Sequence, residues 1–421
     1  MDLIIFLLSS WHLISAIFGL VLVSVIWNRI SRPLNRIKHL GDIGYLEQSG
    51  LTRAETVAKW KRLKKIGAVP PVYPNGWYYV DETHQLKVGD VKPIVAFGQN
   101  LVLFRGTDNT PHLLDAYCPH MGANMAVGGN VVNGNCLQCP FHGWAFRGTD
   151  GQCVHIPYAL GGKIPEAAKV KRWTTTEKNK HIYVWYHCDN VDPTWNLPDI
   201  PEVESGEWTY RGRTEHYINA HIQEIPENGA DMSHLNVLHR PALFKGSDIS
   251  KIDFSSTLDT TIHEWDGTWH QEENDRKHVG VLTLKHILKI FGYKLPLASV
   301  EVKACQIGPG VVYLYFDTGI FGKGVLFHQV TPEGPLLQKL QHNLYFGWRM
   351  PTIGGKLLLL AEALQLERDV MIWCNKKYLR NPLLMKEDAL IARHRRFYSQ
   401  FYTENSLTLE QALKSSNGFD W

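Results

Sequence analysis

The sequence predicts an α+β fold, with one N-terminal transmembrane helix before an all-β domain and a larger domain of mixed strands and helices. Residues 3–28 contain no Asp, Glu, Lys or Arg, although 20% of the chain is charged. From residue 77 to about residue 185, short runs rich in Val, Ile, Tyr and Phe alternate with turn residues, which is typical of strands. Beyond residue 191, strand-like runs mix with segments such as Gly355–Asn375, which carries Leu and Ala at helical spacing.

The apolar N-terminal segment is long enough to cross a membrane. As a helix, residues 3–28 would extend about 38 Å at ~1.5 Å per residue, more than the roughly 30 Å of a bilayer's hydrocarbon core. A cleaved signal peptide would need a basic region in front, and only Met1 and Asp2 precede the segment. A buried core helix is the other alternative. We expect a single-pass signal anchor, and the positive-inside rule places the rest of the chain in the cytosol because four basic residues follow at once: Arg29, Arg32, Arg36 and Lys38.

Two Pro-rich passages, 68–77 and 193–202, suggest where the domains divide. We expect a basic juxtamembrane linker over residues 29–72, with a helix that begins near Thr52. We expect the all-β domain over residues 73–190 and the mixed domain, with C-terminal helices, over residues 191–421. The linker carries a basic cluster that suits either a solvated helix face or contact with anionic lipid: Lys59, Lys61, Arg62, Lys64 and Lys65.

Composition excludes several classes of function. A net charge of +3 over 421 residues gives no indication of a nucleic-acid partner. Seven cysteines, an odd number at low density, do not resemble a disulfide framework and suit a reducing compartment. The chain contains no GxGxxG, so it shows no nicotinamide or flavin module of its own.

The most specific pattern is a pair of mixed Cys-His motifs. Cys118-Pro-His120 and Cys139-Pro-Phe-His142 lie on two glycine-rich loops. Two thiolates hold one iron of a [2Fe–2S] cluster and two imidazoles hold the other. Zinc also takes two Cys and two His, but zinc fingers usually pair like with like, so the mixed pairs favour the iron–sulfur cluster. Cys136, three residues before Cys139, is interpreted as a packed thiol.

A second candidate metal site follows in residues 228–239, which read NGADMSHLNVLH. We expect a helix from about Pro226 to Val237, on which Asp231 and His234 share a face. His239 reaches the same metal if the helix ends between the two histidines. Two His and one carboxylate form the facial triad that leaves positions open on Fe(II) for dioxygen. The carboxylate must come from a distant part of the chain.

The segment CPHMGANMAVGGNVVNGNCLQCPFHGWAF resembles the cluster-binding domain of Rieske oxygenases. In the respiratory Rieske proteins a disulfide clamps the two loops, and Ala123 and Pro140 stand at the matching positions here. The segment ERDVMIW resembles the late D-x2-I-W of steroid-acting members, which selects Asp369 as the third iron ligand, with Glu367 and then Glu362 as fallbacks.

The resemblance also gives Asp231 a role outside the iron triad. In the family, the matching Asp connects a cluster His of one subunit to an iron-ligand His of the next. This implies that Asp231 bridges His142 of one protomer and His234 of its neighbour, in an assembly that is typically a homotrimer. A carboxylate suits this role because it accepts hydrogen bonds from both imidazoles and fixes their tautomers.

Together with the anchor and PPVYPNGW, these segments are similar to the Neverland-type cholesterol 7-desaturase family. That resemblance implies a helix-grip-like catalytic domain, O2 as oxidant, and NAD(P)H electrons that arrive through a separate reductase. It implies removal of two hydrogens across C7–C8 of cholesterol to give 7-dehydrocholesterol, at an endomembrane for which the endoplasmic reticulum is the natural choice.

Three other functions stay open at this point. Bacterial 3-ketosteroid 9α-hydroxylases are similar in the same segments but lack the anchor, so sterol hydroxylation is the alternative activity. A Rieske electron carrier would not need His234, His239 and Asp369. A sterol-binding scaffold with a degenerate site would not retain every ligand. The apolar runs Val281–Leu288 and Val311–Phe316 are expected to contribute to a sterol pocket or to plain core.

Overall fold

A computed structural model describes residues 2–256, 260–296 and 299–415 of the chain. Its first element is the helix α1 (Asp2–Ser31). Within it, residues Ile14–Ser31 are long and apolar enough to cross a membrane, and none of that stretch is buried against the rest of the protein. This agrees with the expected transmembrane helix by length and composition.

The chain after α1 is tied directly to the second domain. Strand β1 (Leu34–Lys38) pairs in parallel with β13 (Thr209–Asn219), with Leu34 opposite Gly212 and Lys38 opposite His216. We expected a linker over these residues, so the strand was missed. The five residues of β1, two of them basic, show little of the pattern typical of strands. Helix α2 (Arg53–Leu63) begins as predicted, because Thr52 and Glu55 form a capping box.

The all-β domain consists of three small sheets. Their strand orders are β10-β5-β4-β3, β11-β12-β2 and β6-β7-β8-β9. The segment CLQCPFHGWAF, which as one of the runs rich in apolar residues reads as a strand, forms two strands, β7 and β8, joined by a loop over residues 139–144. The strands of this domain are β2 (Gly76–Glu82), β3 (Val91–Ala96), β4 (Gln99–Arg105), β5 (Pro111–Asp115), β6 (Asn130–Val132), β7 (Cys136–Gln138), β8 (Ala145–Arg147), β9 (Cys153–His155), β10 (Arg172–Trp173), β11 (Thr175–Lys178) and β12 (His181–Tyr186).

A nine-stranded sheet forms the base of the second domain, in the order β1-β13-β20-β19-β18-β17-β15-β14, with β16 paired to β15. Except for β1, all neighbours are antiparallel. Its remaining strands are β14 (Thr261–Gln271), β15 (Val279–Ile290), β16 (Tyr293–Lys294), β17 (Val300–Ile307), β18 (Val311–Asp317), β19 (Lys323–Gly334) and β20 (Leu337–Phe346).

The long helix α6 (Thr352–Asn375) packs on this sheet against β13 and β20, and it contains the predicted helix 355–375. The two domains share an apolar core in which Trp77 and Tyr183 of the first meet Phe327 of the second. The other helices are short: α3 (Pro201–Glu204), α4 (Glu224–Glu227), α5 (Met232–Leu235), α7 (Ala389–Ser399) and α8 (Leu409–Ser415).

The helix expected over 226–237 is wrong as a continuous element. It is divided into α4, a short 3₁₀ turn and α5, with Asp231 in an extended conformation at φ −101° and ψ 91°. The Asp231 side chain accepts hydrogen bonds from the backbone N–H groups of Ser233 and His234. An Asp that caps a new helix competes with the continuation of the preceding one, and this breaks the segment.

Candidate metal centres and the cavity beside them

The four residues of the first motif lie on two similar turns. The Cys118 carbonyl accepts a hydrogen bond from Gly122 N at 2.9 Å, and the Cys139 carbonyl accepts one from Gly143 N at 3.1 Å. Both glycines have φ of +72°, a left-handed conformation that favours glycine. The two Cys-Pro-x-x-Gly turns therefore present their cysteines at matching positions, whereas His120 is the third residue of its turn and His142 the fourth.

The side chains of these turns converge. The rings of His120 and His142 lie 4.6 Å apart, and Trp144 stacks on His120 at 4.7 Å. Burial, with a smaller contribution from the adjacent Cys139, raises the pKa of the Cys118 thiol to about 11. The Nδ1 atoms of His120 and His142 are buried without a hydrogen-bond partner among the described residues.

This donor set fits a [2Fe–2S] cluster. Two adjacent thiols and two buried imidazole nitrogens that lack partners are the ligands that a Rieske cluster takes. A buried polar atom without a partner costs free energy, and a metal bond would satisfy it. All seven cysteines are free thiols in the described residues, and the clamp positions are Ala123 and Pro140, as the sequence indicates.

The second site brings together His234, His239 and Asp369. One ligand atom from each lies within 4.8 Å of the others. Asp369 Oδ1 is 3.1 Å from His239 Nε2 and 3.9 Å from His234 Nε2. Burial opposes a charge on His239, but the Asp369 carboxylate outweighs it and raises the pKa of the imidazole. Two imidazole nitrogens and a carboxylate around one point suit Fe(II) with open positions.

Each histidine is oriented by a specific partner. His234 Nδ1 lies 2.5 Å from the Asp231 carbonyl, so its Nε2 faces Asp369. His239 Nδ1 lies 2.7 Å from Gln365 Oε1, one helical turn before Asp369 on α6. Hydrogen bonds of this kind fix the ring orientation and leave Nε2 free for a metal. Sequence reasoning missed Gln365, whose only signal is its i, i+4 spacing to Asp369.

Arg368 connects the two parts of the second site, and it was also missed. It is fully buried, and its guanidinium donates to four backbone carbonyls of the loop that follows His234. This loop carries His239, whereas Arg368 is adjacent to Asp369 on α6. The four acceptors are the carbonyls of Leu238, Pro241, Ala242 and Gly246, at 3.0 to 3.2 Å.

The two fallback carboxylates do not belong to the triad. Glu367 accepts hydrogen bonds from Arg36 at 2.6 Å and from Ser247 at 2.9 Å. Burial acts in the opposite direction, but hydrogen bonds to His216 and Arg36 lower the pKa of Glu367 to about 2. Glu362 lies on the same face of α6 as Gln365 and Asp369, and burial raises its pKa.

A cavity of about 420 Å³ lies between α6 and the nine-stranded sheet, and the triad forms part of its wall. This is within the usual range for a small-molecule site. Burial lowers the pKa of His263 and of His328, two polar groups of the wall, to about 4, so both are neutral. Alternate residues of both apolar runs line the cavity: Leu282, Leu284, Leu288, Val312, Leu314 and Phe316.

Comparisons with known proteins identify the family of each domain. Residues 76–167 match the model of the Rieske [2Fe-2S] domain, and residues 184–402 match that of the 3-ketosteroid 9alpha-hydroxylase C-terminal domain. A cholesterol 7-desaturase of Caenorhabditis elegans is 46% identical, over 97% of each chain. One of Xenopus laevis is 46% identical, over 94% of this chain and 86% of its own.

More distant proteins show the same architecture. The oxygenase component of a 3-ketosteroid-9-alpha-monooxygenase from Rhodococcus rhodochrous is 29% identical, over 80% of this chain and 83% of its own. Among solved structures, dicamba monooxygenase bound to dicamba gives a TM-score of 0.54 at 17% identity, over 79% of this chain and 98% of its own. At this identity the likeness concerns the fold alone.

Fold and sites together define a Rieske non-haem iron oxygenase, an enzyme that combines a [2Fe–2S] cluster with a mononuclear iron. It uses O2 and electrons from NAD(P)H that a reductase supplies. Within that class, the chain belongs to the cholesterol 7-desaturase family.

Proposed function

We propose that this protein removes two hydrogens across C7–C8 of cholesterol and forms 7-dehydrocholesterol. The observation that carries the proposal is the triad of His234, His239 and Asp369, which opens into an apolar cavity of about 420 Å³. A sterol is almost entirely hydrocarbon, and such a wall would bind it by burial of apolar surface. The relatives at 46% identity carry the name of this reaction.

We assign Cys118, His120, Cys139 and His142 to the cluster, and His234, His239 and Asp369 to the mononuclear iron. Bound together, the two groups supply the electron transfer and the dioxygen reduction of the reaction. Per turnover, O2 accepts the two hydrogens that the sterol loses, together with two electrons from the reductase and two protons, and this gives one C=C bond and two molecules of water.

The chain's own residues place the substrate and protect the site. Gln365 and the Asp231 carbonyl hold the two imidazoles, so that the open side of the triad faces the cavity. The leucines and valines of β15, β17 and β18 exclude water from the reacting carbons. Because hydrogen abstraction is selective only for a well-placed C–H bond, this wall determines which carbons react.

The chain is proposed to act as a homotrimer, with Asp231 as the bridge between subunits. Its carboxylate is partly exposed next to His234, with 3.7 Å between Oδ2 and Nδ1. A second imidazole, from His142 of a neighbouring copy, could approach the exposed side. An Asp231→Asn variant should keep both metal centres and lose electron transfer between them.

The apolar helix α1 and the basic residues after it support a single-pass anchor with the catalytic part in the cytosol. Sterols reside in membranes, so a tethered enzyme works where its substrate is. We propose the endoplasmic reticulum as the compartment. The sterol hydroxylase is the second candidate, supported by the match of residues 184–402 to the hydroxylase domain.

The deciding experiment is mass spectrometry of products from iron-loaded protein given cholesterol, NADPH and a surrogate reductase under air. A product two mass units lighter, absent for Asp369→Ala and retained for the surface control Glu387→Gln, would support desaturation at the proposed iron. A product sixteen units heavier would replace the desaturase with the hydroxylase. No product, with three irons bound, would refute cholesterol as the substrate.

A further inference from the structure

The C-terminal end of α1 lies beside the ends of strands in the nine-stranded sheet, on the side where β13 begins. We call this side of the sheet the edge. The Lys356 ammonium near the start of α6 donates a hydrogen bond to the backbone carbonyl of Arg29, in the last turn of α1. A few residues later, Leu34 begins β1 opposite Gly212, near the start of β13. The chain therefore leaves the proposed membrane anchor directly at the edge where β13 begins.

The strand registers show which other segments lie at this edge. Thr209 at the start of β13 is opposite Phe346 at the end of β20, and Asp317 is opposite Lys323 across the β18–β19 turn. In the same way, Thr261 is opposite Ile290. Three connections are therefore placed here: the one after β15, the one between β18 and β19, and the one from β20 into α6.

These connections expose large apolar side chains. Trp348 is 82% exposed, Tyr293 81% and Phe291 73%. Six such residues form what we call the apolar rim: Phe291, Tyr293, Ile320, Trp348, Ile353 and Leu357. Soluble surfaces rarely gather so many large apolar side chains at one edge, and Trp and Tyr are typical of membrane interfaces.

Cationic side chains accompany the rim. Lys294, Lys323 and Arg349 stand on the same three connections, and the Arg349 guanidinium lies 5.6 Å from the Trp348 ring. Two of the described carboxylates at this edge form ion pairs, Asp317 with Lys323 and Glu301 with Lys285. Apolar tips flanked by cations match the boundary between acyl chains and anionic headgroups.

The cavity beside the triad extends to the same edge. Val300, the first residue of β17, lines the cavity, as does Phe316, next to the end of β18. Leu288 near the end of β15 and Leu358 in the first half of α6 also line it. Leu357, a rim residue, directly precedes Leu358, so rim and cavity wall lie on adjacent faces of α6.

We propose that the apolar rim inserts into the bilayer interface around this end of the cavity, so that a sterol enters from the membrane without crossing water. The partner is a lipid surface, and the anchor α1 sets the distance and orientation of the edge. The role of the apolar rim in sterol entry rests on the proposed sterol substrate. The contact of the rim with lipid can be tested separately.

The contact is tested with the full-length chain in liposomes of phosphatidylcholine and phosphatidylserine. A bimane label is attached to Phe291→Cys, to Trp348→Cys and, as the control, to Leu383→Cys, since Leu383 is 96% exposed in the segment after α6, away from this edge. The unsubstituted chain gives the background from native thiols. We expect brominated acyl chains to quench the first two labels and not the third. Absence of quenching at both rim positions, or equal quenching at all three, would overturn the proposal.

Delivery of substrate is the second measurement. With cholesterol in liposomes, the double variant Phe291→Asp, Trp348→Asp should raise KM about tenfold, because loss of interfacial burial weakens docking. With cholesterol delivered by cyclodextrin, kcat should match that of the Leu383→Asp control. Unchanged KM in liposomes would overturn the rim's role in delivery. Quenched labels without any sterol product would refute the proposed function but not the lipid contact. Sterol product with unquenched labels would refute the lipid contact but not the proposed function.

Discussion

Replacement of Arg368 by Met should remove the mononuclear iron and leave the cluster in place. The guanidinium donates to four backbone carbonyls of the loop that carries His239. At about 1 kcal/mol for each buried hydrogen bond, their loss costs about 4 kcal/mol. Burial disfavours the charged guanidinium and lowers the pKa of Arg368, so each bond contributes less than the roughly 1.5 to 3 kcal/mol typical of hydrogen bonds to charged groups. If the whole loss destabilises only the loop that carries His239, the affinity for the mononuclear iron falls by up to about a thousandfold.

The assay is iron stoichiometry together with the visible and EPR spectra of the cluster. The parent chain should hold three irons, and Arg368→Met should hold two with an unchanged cluster spectrum. Arg395→Met is the matched control, because Arg395 also makes several side-chain hydrogen bonds, two of them partly buried, but contacts Glu227 and the carbonyl of Leu379 instead of the loop. Arg368→Met with three irons and an unfolding free energy within about 1 kcal/mol of the parent would refute the reasoning.

Three further outcomes are expected. Gln365→Leu should lower the affinity for the mononuclear iron about 10- to 100-fold in a metal titration, because His239 Nδ1 loses its 2.7 Å partner, and Gln365→Glu should retain most of it. Glu367→Gln should reduce the free energy of unfolding by about 3 kcal/mol at pH 7, because the pKa of the Glu367 carboxyl is lowered to about 2 in the folded protein. A carboxyl with a lowered pKa stabilises the folded state above the pKa that it has in the unfolded chain. The difference in unfolding free energy between variant and parent should therefore shrink as the pH falls from 5 towards 3. A constant difference over that range would contradict the assignment. Asp231→Asn should keep three irons and lose sterol turnover, and full turnover would exclude the bridge.

The parts of the sites that the sequence predicts well are those made by neighbours in the chain. Cys118 and His120, or His234 and His239, lie within a few residues of each other, so their spacing carries the chemistry directly. Asp369 lies 130 residues beyond His239, and no local pattern connects them. Only the resemblance of the ERDVMIW segment to a known family selected it, and the geometry brings it to 3.1 Å from His239.

The supporting residues could not be predicted in the same way. Gln365 and Arg368 act through hydrogen bonds to atoms more than a hundred residues away, and any polar residue on a helix shows the same sequence signal. The expected helix over 226–237 failed because Asp231 caps a new turn, which local helical spacing does not reveal. The strand β1 depends entirely on a partner in the other half of the chain.

That pairing has a consequence for how the protein is made. The ribosome releases Leu34–Lys38 first, but their partner strand β13 follows about 180 residues later, and β20, which closes the other side of β13, comes later still. During this interval the short strand has an open edge, and with α1 as the proposed anchor it would wait next to the membrane. We therefore expect the nascent protein to need chaperones at that stage, and truncation before residue 346 should send it to degradation, not leave it partly folded.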